Sequence, residues 1–402
     1  MDRAFDPVIL RFQPPVRSPL TFAAVASGLR AATRSGEVSR ADLTRRLAAR
    51  YEARSVALLD SGTSALAVAL RFAAQRRPGR PVLLPAWGCY DLATAADAAE
   101  VEVGLYDLDP ATLGPDWDSL ASGLRGEPAA VVAVHFFGVP VDLQRLSTLT
   151  RAAGAALIED AAQGAGGELG GKPLGAWGDL SLLSFGRGKG LTGGRGGALL
   201  AHQESWREAV ATVALPPGRE SAAEAIALLA QWLLTRPGIY RLPASLPWLG
   251  LGQTVYHPPH PAAGLSALAA GTLAVTLDLA ISEADRRRRH AAWLRERIAL
   301  GACQVPSGVA GGVPGWLRLP VVLPREQSAA LSKGSARALG IYPGYPLALA
   351  ELPGFGARLT ERNTPTPGAR ELARRLVTLP THGGLRDADL ERLVAWCGRQ
   401  IA

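Results

Sequence analysis

Short apolar segments alternate with amphipathic helical segments from residue 55 to residue 200, and this alternation constrains the fold more than any other feature. Helical spacing of apolar residues is clear, for example, at 60–75 and at 142–154. Strands that alternate with helices form a mainly parallel sheet with helices on both faces, so we predict an α/β fold for this half of the chain. The segments with strand character lie at 55–59, 81–87, 101–109, 129–138, 155–160 and 180–185.

Candidate ligand-binding residues follow the strands of this predicted sheet. Sheets of this kind bind their ligands beyond the carboxyl ends of the strands. The stretch DSGTSAL at 60–66 also predicts a helix start, whose free backbone N–H groups suit a phosphate, although an ordinary capped helix explains the same residues. The polar and aromatic groups expected at this edge are Ser61 to Thr63, Trp87 to Tyr90, His135, Asp160 and Lys189.

Lys189 lies in a glycine-rich loop, SFGRGKGLTGGRGG, which follows the strand at 180–185. The chain has three lysines against forty arginines, so a lysine at this place is unusual. Lys can lose its proton and become a nucleophilic amine, whereas Arg stays charged, so Lys189 fits either a Schiff-base lysine or an ordinary loop lysine. The loop does not match the phosphate-binding pattern GxxxxGK[ST], because position 183 is Leu183 and the lysine is followed by Gly190.

Composition and charge limit the class of protein. The chain has 402 residues, 48% of them apolar and 19% charged, which fits a soluble globular protein of two or three domains. A net charge of +8 suits an anionic substrate, an acidic membrane surface or nucleic acid. No basic tract is interleaved with aromatic residues, so we expect no nucleic-acid partner. The four arginines at 286–289 fit a solvated helix face.

The cysteines and the apolar segments bear on the cellular compartment. Cys89, Cys303 and Cys397 are far apart and lack metal-ligand spacing, so we expect a reducing compartment, no disulfide framework and no metal. The N-terminus does not resemble a signal peptide, and the longest mostly apolar stretch, 222–234, is too short to span a bilayer. We therefore expect a cytoplasmic protein.

The flanking regions are also predicted to be structured. N-terminal helices are expected at 22–32 and 40–51, the second capped by Ser39. The segment 203–260 is apolar and rich in Pro, Trp and Tyr, and it fits a lid, a dimer contact, an interfacial patch or a packed loop. A long helix follows at about 263–300. The last hundred residues predict a smaller α/β domain with a strand at 317–323, a proline-rich loop at 342–353, and helices at 328–339, 368–376 and 387–399.

Several motifs occur along the chain in a characteristic order and spacing. Through them the chain resembles the sugar aminotransferases of the DegT/StrS family, which are pyridoxal 5'-phosphate (PLP) enzymes of fold type I. The resemblance covers nearly the whole chain. It implies a mainly parallel seven-stranded sheet in a large PLP-binding domain at 1–260, and a domain at 261–402 with the long helix and a small α/β unit. The motifs are SGTSAL at 61–66, LPAW at 84–87, YDLDP at 106–110, VHFFGVPVDL at 134–143, IEDAAQG at 158–164, SFGRGKGLTGGRGG at 184–197 and LVTLPTHGGL at 376–385.

The resemblance implies roles for individual residues. Lys189 matches the Schiff-base lysine, which also moves the proton during the reaction. Asp160 matches the acidic partner of the pyridine nitrogen, and Gln163 resembles the residue that contacts the phenolic oxygen of the cofactor. Contacts to the cofactor phosphate are implied for Ser61, Gly62, Thr63 and Ser184. Contacts to the substrate are considered for Arg187, Arg195 and His135, of which His135 fits a buried core histidine equally well.

The chain departs from the family pattern at three places. Cys89 occupies the position where the family carries an aromatic residue that stacks on the cofactor ring, so either Tyr90 or Trp87 stacks there instead, or neither does. The usual GEGG reads GRGG, which puts Arg195 in place of a Glu. The family's Asn/Arg segment before the long helix is replaced by TVYHPPHP at 254–261.

The resemblance implies a PLP-dependent aminotransferase that converts a nucleotide-linked keto sugar to an amino sugar, as in polysaccharide biosynthesis. An amino acid, expected to be glutamate, is the donor, and a homodimer is expected. One alternative is a related dehydratase, but dehydratases of the family carry His in place of the lysine, so Lys189 favours amino transfer. A second alternative is a non-catalytic or membrane-associated scaffold that uses the 203–260 segment, with peripheral membrane contact through 223–255.

Overall fold

A computed structural model describes residues 11–34, 36–218, 220–246, 254–298, 303–331, 335–360 and 364–400. The helices are α1 (Phe22–Ala32), α2 (Glu37–Arg50), α3 (Gly62–Arg76), α4 (Asp91–Ala99), α5 (Trp117–Leu124), α6 (Leu143–Ala152), α7 (Glu204–Ala211), α8 (Ala222–Leu234), α9 (Arg241–Ala244), α10 (Ala267–Ile298), α11 (Gln327–Leu331), α12 (Ser335–Ala338), α13 (Pro367–Arg375) and α14 (Asp387–Gly398). The strands are β1 (Ser55–Leu59), β2 (Val82–Pro85), β3 (Val103–Tyr106), β4 (Ala130–Val134), β5 (Ala156–Asp160), β6 (Glu168–Leu169), β7 (Lys172–Pro173), β8 (Leu180–Ser184), β9 (Gly197–Ala201), β10 (Gly312–Val313), β11 (Leu319–Val322), β12 (Tyr342–Pro343) and β13 (Leu376–Leu379).

The large sheet has seven strands in the order β1-β9-β8-β5-β4-β2-β3. Strands β8, β5, β4, β2 and β3 are parallel, and β9 alone runs antiparallel to its neighbours β8 and β1. The predicted mainly parallel seven-stranded sheet is therefore confirmed. Every residue of β4, β5 and β9 is buried, because helices cover both faces of the sheet. Strand β9 was not predicted separately from the sequence.

The small sheet is antiparallel and has the order β11-β13-β12. Strand β11 confirms the strand predicted near 317–323. The helix predicted at 328–339 is described on both sides of residues 332–334, as α11 and α12, and those three residues lie outside the described part of the chain. The proposed division of the chain at residues 260 and 261 stays a prediction.

Helix α10 is the long helix expected at 263–300, of which residues 299 and 300 lie outside the described residues. It packs against α1, α2 and α14. Among the described residues, α10 is the one helix long and apolar enough to cross a membrane, but 67% of its apolar window is buried inside the protein. Buried core helices of soluble proteins can be equally long and apolar, so these two properties of α10 are not evidence for a membrane span.

The N-terminal helices agree with the sequence except at the start of α2. The helix begins at Glu37, and its cap is Gly36 rather than the predicted Ser39. Gly36 has φ of 69°, a left-handed conformation that glycine adopts without the steric cost of a side chain. Ser39 lies inside the first turn and caps nothing. The prediction was wrong because it ignored the glycine three residues earlier. Residues 1–10 lie outside the described residues.

The segment 203–260 is mainly helical where it is described, and it packs on the N-terminal region. Leu228 of α8 joins an apolar cluster with Val25 of α1 and Leu268 of α10, and the Phe22 and Trp232 rings lie 5.7 Å apart. The opposite side of α8 leaves three apolar side chains exposed. Residues 247–253 lie outside the described residues, and membrane contact through 223–255 stays a prediction. The exposed side chains are Ile226, Leu229 and Leu233.

His382 connects the start and the end of the described chain. Its Nε2 donates to the Pro14 carbonyl at 3.0 Å, and its Nδ1 accepts from the Gly384 amide at 3.2 Å. The ring is 1% exposed. Burial, assisted by the nearby Arg17, lowers the pKa of His382 from its ordinary value of 6.5 to about 3. His382 is therefore neutral in the folded protein at physiological pH.

This buried imidazole predicts a pH-dependent stability. The unfolded chain takes up a proton on His382 below pH 6.5, but the folded chain does so only near pH 3, so the free energy of unfolding falls as the pH drops through that window. The expected slope is about 1.4 kcal/mol per pH unit. Urea unfolding of wild type and His382→Gln between pH 7 and 5 measures it. A variant whose slope equals that of the wild type would contradict the assignment.

Candidate active site

A cavity opens at the carboxyl ends of β4, β5 and β8, beside the start of α3. Six residues predicted from the sequence line it together: Gly62, Thr63, Asp160, Gln163, Ser184 and Lys189. They come from three separate stretches of the chain, 62–63, 160–163 and 184–189. This edge of the sheet is where α/β folds bind their ligands, and the structure brings a lysine, a carboxylate and a helix N-terminus to it.

Asp160 ends strand β5 and is 9% exposed. Its Oδ1 accepts a hydrogen bond from the Ala162 amide at 2.9 Å. Burial raises the pKa of the Asp160 carboxyl, while the Ala162 amide and the Lys189 ammonium oppose the increase. A carboxylate in this position gains stability from a cation placed next to it.

Lys189 is held by a loop whose shape depends on glycine. Gly188, directly before it, has φ of 72°. The Lys189 carbonyl accepts from the Ser18 hydroxyl at 2.8 Å, which ties the loop to the N-terminal segment. Farther along, the Thr192 hydroxyl donates to the Phe185 carbonyl at 3.2 Å. These contacts fix the loop backbone and leave the lysine side chain on the cavity wall.

The N-terminus of α3 approaches Ser184 very closely. Ser61 caps the helix, since its hydroxyl oxygen accepts from the Ser64 amide at 3.0 Å. A Cβ added at Gly62 would lie 2.8 Å from the Ser184 Cβ, so only glycine fits there. The first turn of a helix presents N–H groups without intrahelical partners and a positive dipole end. The pair of α3 and Ser184 is therefore suited to an anion such as a phosphate.

Gln163 is oriented by two hydrogen bonds. Its Oε1 accepts from the Phe137 amide at 3.2 Å, and its Nε2 donates to the Tyr345 hydroxyl at 2.8 Å. Tyr345 lines the cavity and was not predicted from the sequence. Its ring lies 6.1 Å from the Phe137 ring and almost parallel to it, at 14°. The only sequence signal for Tyr345 was its place in a proline-rich loop, which did not connect it to this site.

Trp87 and Tyr90 do not reach the cavity wall. Trp87 is fully buried behind it, with its ring 4.9 Å from the Tyr345 ring and its Nε1 donating to the Tyr345 carbonyl at 2.7 Å. The Tyr90 hydroxyl accepts from the Leu347 amide at 3.1 Å. Cys89 lies on the wall instead. Both aromatic side chains pack against the loop at 345–347 and not against the cavity. The structure therefore does not support the predicted stacking role.

The structure corrects the predicted substrate role of His135. The ring is fully buried and does not line the cavity. Its Nδ1 accepts from the Val141 amide at 3.3 Å, so Nε2 carries the proton and donates to Glu159 Oε1 at 3.0 Å. His135 is therefore a core histidine, the alternative that the sequence left open.

Glu159 organises the core below the cavity. Besides His135, its carboxylate accepts from the amides of Gly175, Trp177 and Gly178 and from the Ser181 hydroxyl, at 2.6–3.0 Å. Burial raises its pKa, but the His135 hydrogen bond and the amides outweigh burial and lower the pKa to about 2. A network with this many donors fixes strand β5, and thus Asp160, in place.

The two arginines considered for substrate binding lie away from the cavity lining. Arg187 is exposed at the tip of the glycine-rich loop. The Arg195 guanidinium lies 3.8 Å from Asp60 Oδ2 and lines a different cavity, next to Pro216 and Ser266. Neither belongs to the group of residues that surround Lys189.

Comparison with known proteins agrees with this site. The model of the DegT/DnrJ/EryC1/StrS aminotransferase family matches residues 23–229, just over half of the chain. The chain belongs to this family. The matched region contains Lys189, Asp160, Gln163 and the start of α3. Enzymes of the DegT/DnrJ/EryC1/StrS family are in general PLP-dependent aminotransferases.

Curated relatives differ in their sequence identity to this chain and in how much of it they cover. The dTDP-4-dehydro-2,3,6-trideoxy-D-glucose 4-aminotransferase of Saccharopolyspora spinosa is 32% identical over 36% of this chain and 38% of its own. The UDP-N-acetyl-3-dehydro-alpha-D-glucosamine 3-aminotransferase of Acidithiobacillus ferrooxidans is 25% identical over 85% of this chain and 83% of its own. The first curated relatives match over 38%, 40% and 33% of their lengths.

Solved structures establish the fold. Spr1654 from Streptococcus pneumoniae, solved in a PLP-form, superimposes with a TM-score of 0.75 at 17% identity, covering 97% of this chain and 98% of that protein. The predicted PLP-dependent transferase fold is therefore confirmed.

Proposed function

We propose that this protein is a PLP-dependent aminotransferase that uses Lys189 to bind the cofactor covalently. One observation carries the proposal: Lys189, Asp160 and the N-terminus of α3 line one cavity. The residues present fit PLP. The absence of a side chain at Gly62 leaves a space beside Ser184 that a Cβ would fill. A helix start of this kind binds anions such as phosphate. Burial raises the pKa of the Asp160 carboxyl, and a cationic ring nitrogen beside it would offset this cost of ionisation.

PLP, when bound, supplies an electron sink that stabilises negative charge on the amino carbon. Asp160 would hold the proton on the ring nitrogen, since its buried carboxylate ends β5 at the cavity wall, whereas Asp91, the other acidic residue of the lining, begins α4. Gln163 would donate its remaining amide N–H to the phenolic oxygen. The Lys189 Nζ would carry the proton between substrate and cofactor, because an amine can act as both acid and base while an arginine cannot.

The substrate class follows from the relatives. We propose a nucleotide-linked keto sugar as the acceptor, since enzymes named for dTDP- and UDP-linked dehydro sugars match this chain. An amino acid, with glutamate as our first candidate, would be the donor. Lys189 supports amino transfer over the dehydration known in the family, because dehydratases carry a histidine there. We also propose a homodimer, which sedimentation of the purified protein would test.

A half-reaction tests this proposal without knowledge of the sugar. Purified protein is loaded with PLP, cleared of free cofactor and mixed with L-glutamate. We expect the visible absorption of lysine-bound PLP to disappear and one equivalent of 2-oxoglutarate to form per site. Absence of both changes with glutamate, glutamine and the other common amino acids would contradict the proposal.

Gly62 provides a test of the phosphate site. Gly62→Ala places a Cβ 2.8 Å from the Ser184 Cβ and forces the start of α3 away from Ser184. We expect the Kd for PLP to rise at least about tenfold, or about 1.4 kcal/mol. Fluorescence titration with PLP measures the Kd. The matched control is Gly398→Ala, where an added Cβ meets nothing within 4 Å. Equal PLP affinity in both variants would show that α3 does not hold the phosphate.

A further inference from the structure

Arg318 carries a charge that the described residues do not balance. It lies directly before β11 in the small sheet, and its side chain is only partly exposed. Its one hydrogen bond runs from Nη1 to the Thr378 hydroxyl at 3.4 Å. The Nε atom is enclosed and has no hydrogen-bond partner. Within the described part of the chain, no carboxylate lies at ion-pair distance from Arg318.

An enclosed guanidinium of this kind is unfavourable by itself. Burial lowers the pKa of Arg318, which means that its surroundings disfavour the charge. Buried charges in proteins are normally paired or fully hydrogen-bonded. Arg287 shows the contrast, because its Nε donates to the Gly315 carbonyl at 3.0 Å and its Nη2 to the Ala165 carbonyl at 2.8 Å. Arg287 also leaves one buried nitrogen, Nη1, without a partner, but its other two nitrogens bind two loops, whereas Arg318 has the single long contact to Thr378.

A second unused donor lies near Arg318. The Tyr342 side chain is 6% exposed, and its buried hydroxyl has no hydrogen bond of good geometry among the described residues, although the Tyr240 side chain lies close enough to interact with it. Tyr240, from the apolar segment 203–260, packs close to both side chains and is 5% exposed. Buried donors without acceptors are rare and costly, so two of them in one place indicate a missing acceptor.

This group lies behind the lining of the active-site cavity, next to two of the lining residues. Arg318 is close enough to Tyr345 and Cys89 to interact with both electrostatically, and these two residues line the cavity with Lys189. The guanidinium fork binds a carboxylate or a phosphate through two parallel hydrogen bonds, and a phenol adds a third donor. Both proposed substrates carry such a group, the amino acid as a carboxylate and the nucleotide sugar as a diphosphate.

We propose that Arg318 and Tyr342 form an oxyanion-binding subsite of the active site, with Tyr240 as its wall. The ligand is an anionic oxygen group of a substrate, either the carboxylate of the amino donor or a phosphate of the nucleotide-linked acceptor. The inference rests on the proposed function. It also gives the 203–260 segment a role at the active site through Tyr240.

Binding of two probes to the PLP-loaded protein tests the subsite and identifies its ligand. The probes are glutarate, a dicarboxylate without an amine, and inorganic pyrophosphate, both titrated by calorimetry. We expect Arg318→Gln to weaken one of them at least tenfold and Arg318→Lys to recover part of the loss. Loss of glutarate assigns the donor carboxylate, and loss of pyrophosphate assigns the acceptor. If neither probe binds the wild type, or if both bind Arg318→Gln within twofold of the wild type, the proposal is overturned.

Two further variants control for folding. Arg374→Gln changes an exposed arginine of α13 in the same small domain and should bind both probes as the wild type does. Tyr342→Phe removes one hydroxyl and should weaken the same probe as Arg318→Gln by about threefold to tenfold, so it replaces Arg318→Gln if that variant does not fold. The glutamate half-reaction of the wild type separates the two claims: if it proceeds while Arg318→Gln binds both probes normally, this inference fails and the proposed function stands.

Discussion

Replacing Lys189 with arginine is expected to lower the rate of amino transfer by about a thousandfold or more. General acid–base catalysis alone contributes about 10² to 10⁴ in rate, and Lys189→Arg also removes the amine that would bond to the cofactor. Arginine keeps the positive charge and much of the length, so the loss reflects proton transfer and covalent chemistry rather than charge. The measurement is 2-oxoglutarate formation from glutamate under single-turnover conditions.

Lys172→Arg is the matched control. Lys172 is exposed on β7 and its Nζ lies 2.9 Å from Glu52 Oε2 at the surface, so the same chemical change there should leave the rate within about twofold of the wild type. Unchanged thermal unfolding would show that Lys189→Arg is folded. Amino transfer by Lys189→Arg at more than a tenth of the wild-type rate would exclude Lys189 as the catalytic lysine.

The largest effect on stability is expected at Glu159. Its carboxylate accepts five hydrogen bonds in the core, from His135, Ser181 and three backbone amides. Glu159→Ala leaves these donors unsatisfied, and loss of one partner from a buried charged network costs about 3–5 kcal/mol. We expect a decrease of that size in the free energy of unfolding, measured by urea denaturation at pH 7.

Glu168→Ala is the control for this substitution, since Glu168 is exposed on β6 and its removal should change stability by less than about 0.5 kcal/mol. Glu159→Gln should fall between the two, because the amide can accept only some of the same hydrogen bonds. The free energies of unfolding are compared after linear extrapolation to zero urea. If the value for Glu159→Ala lies within about 1 kcal/mol of the wild-type value, the network does not hold strand β5 in place.

Much of the large sheet could be predicted from the sequence, because local patterns determine it. The apolar segments that became β1 to β5 and β8 are separated by helical segments, and this alternation requires a mainly parallel sheet. The same pattern places Asp160 and Lys189 at one edge. The strand order and the antiparallel β9 depend on long-range pairing, and periodicity contains no information about it.

The side-chain orientations near the cavity could not be predicted in the same way. Neighbouring residues at a strand end point in different directions, so Cys89 lines the cavity while Trp87 and Tyr90 are buried behind it. His135 is turned inward by its hydrogen bond to Glu159, which lies on the adjacent strand. Tyr345 reaches the site from the small-sheet region. Each of these positions is determined by tertiary contacts.

The most direct test of the central claim is to locate the cofactor on the chain. The PLP-loaded protein is reduced with borohydride, digested and analysed by mass spectrometry. Lys189 should be the one modified residue, and Lys172 and Lys333 should stay unmodified. A protein that carries no label after reduction, or carries it on Lys172 or Lys333, would contradict the assignment of this cavity as the active site.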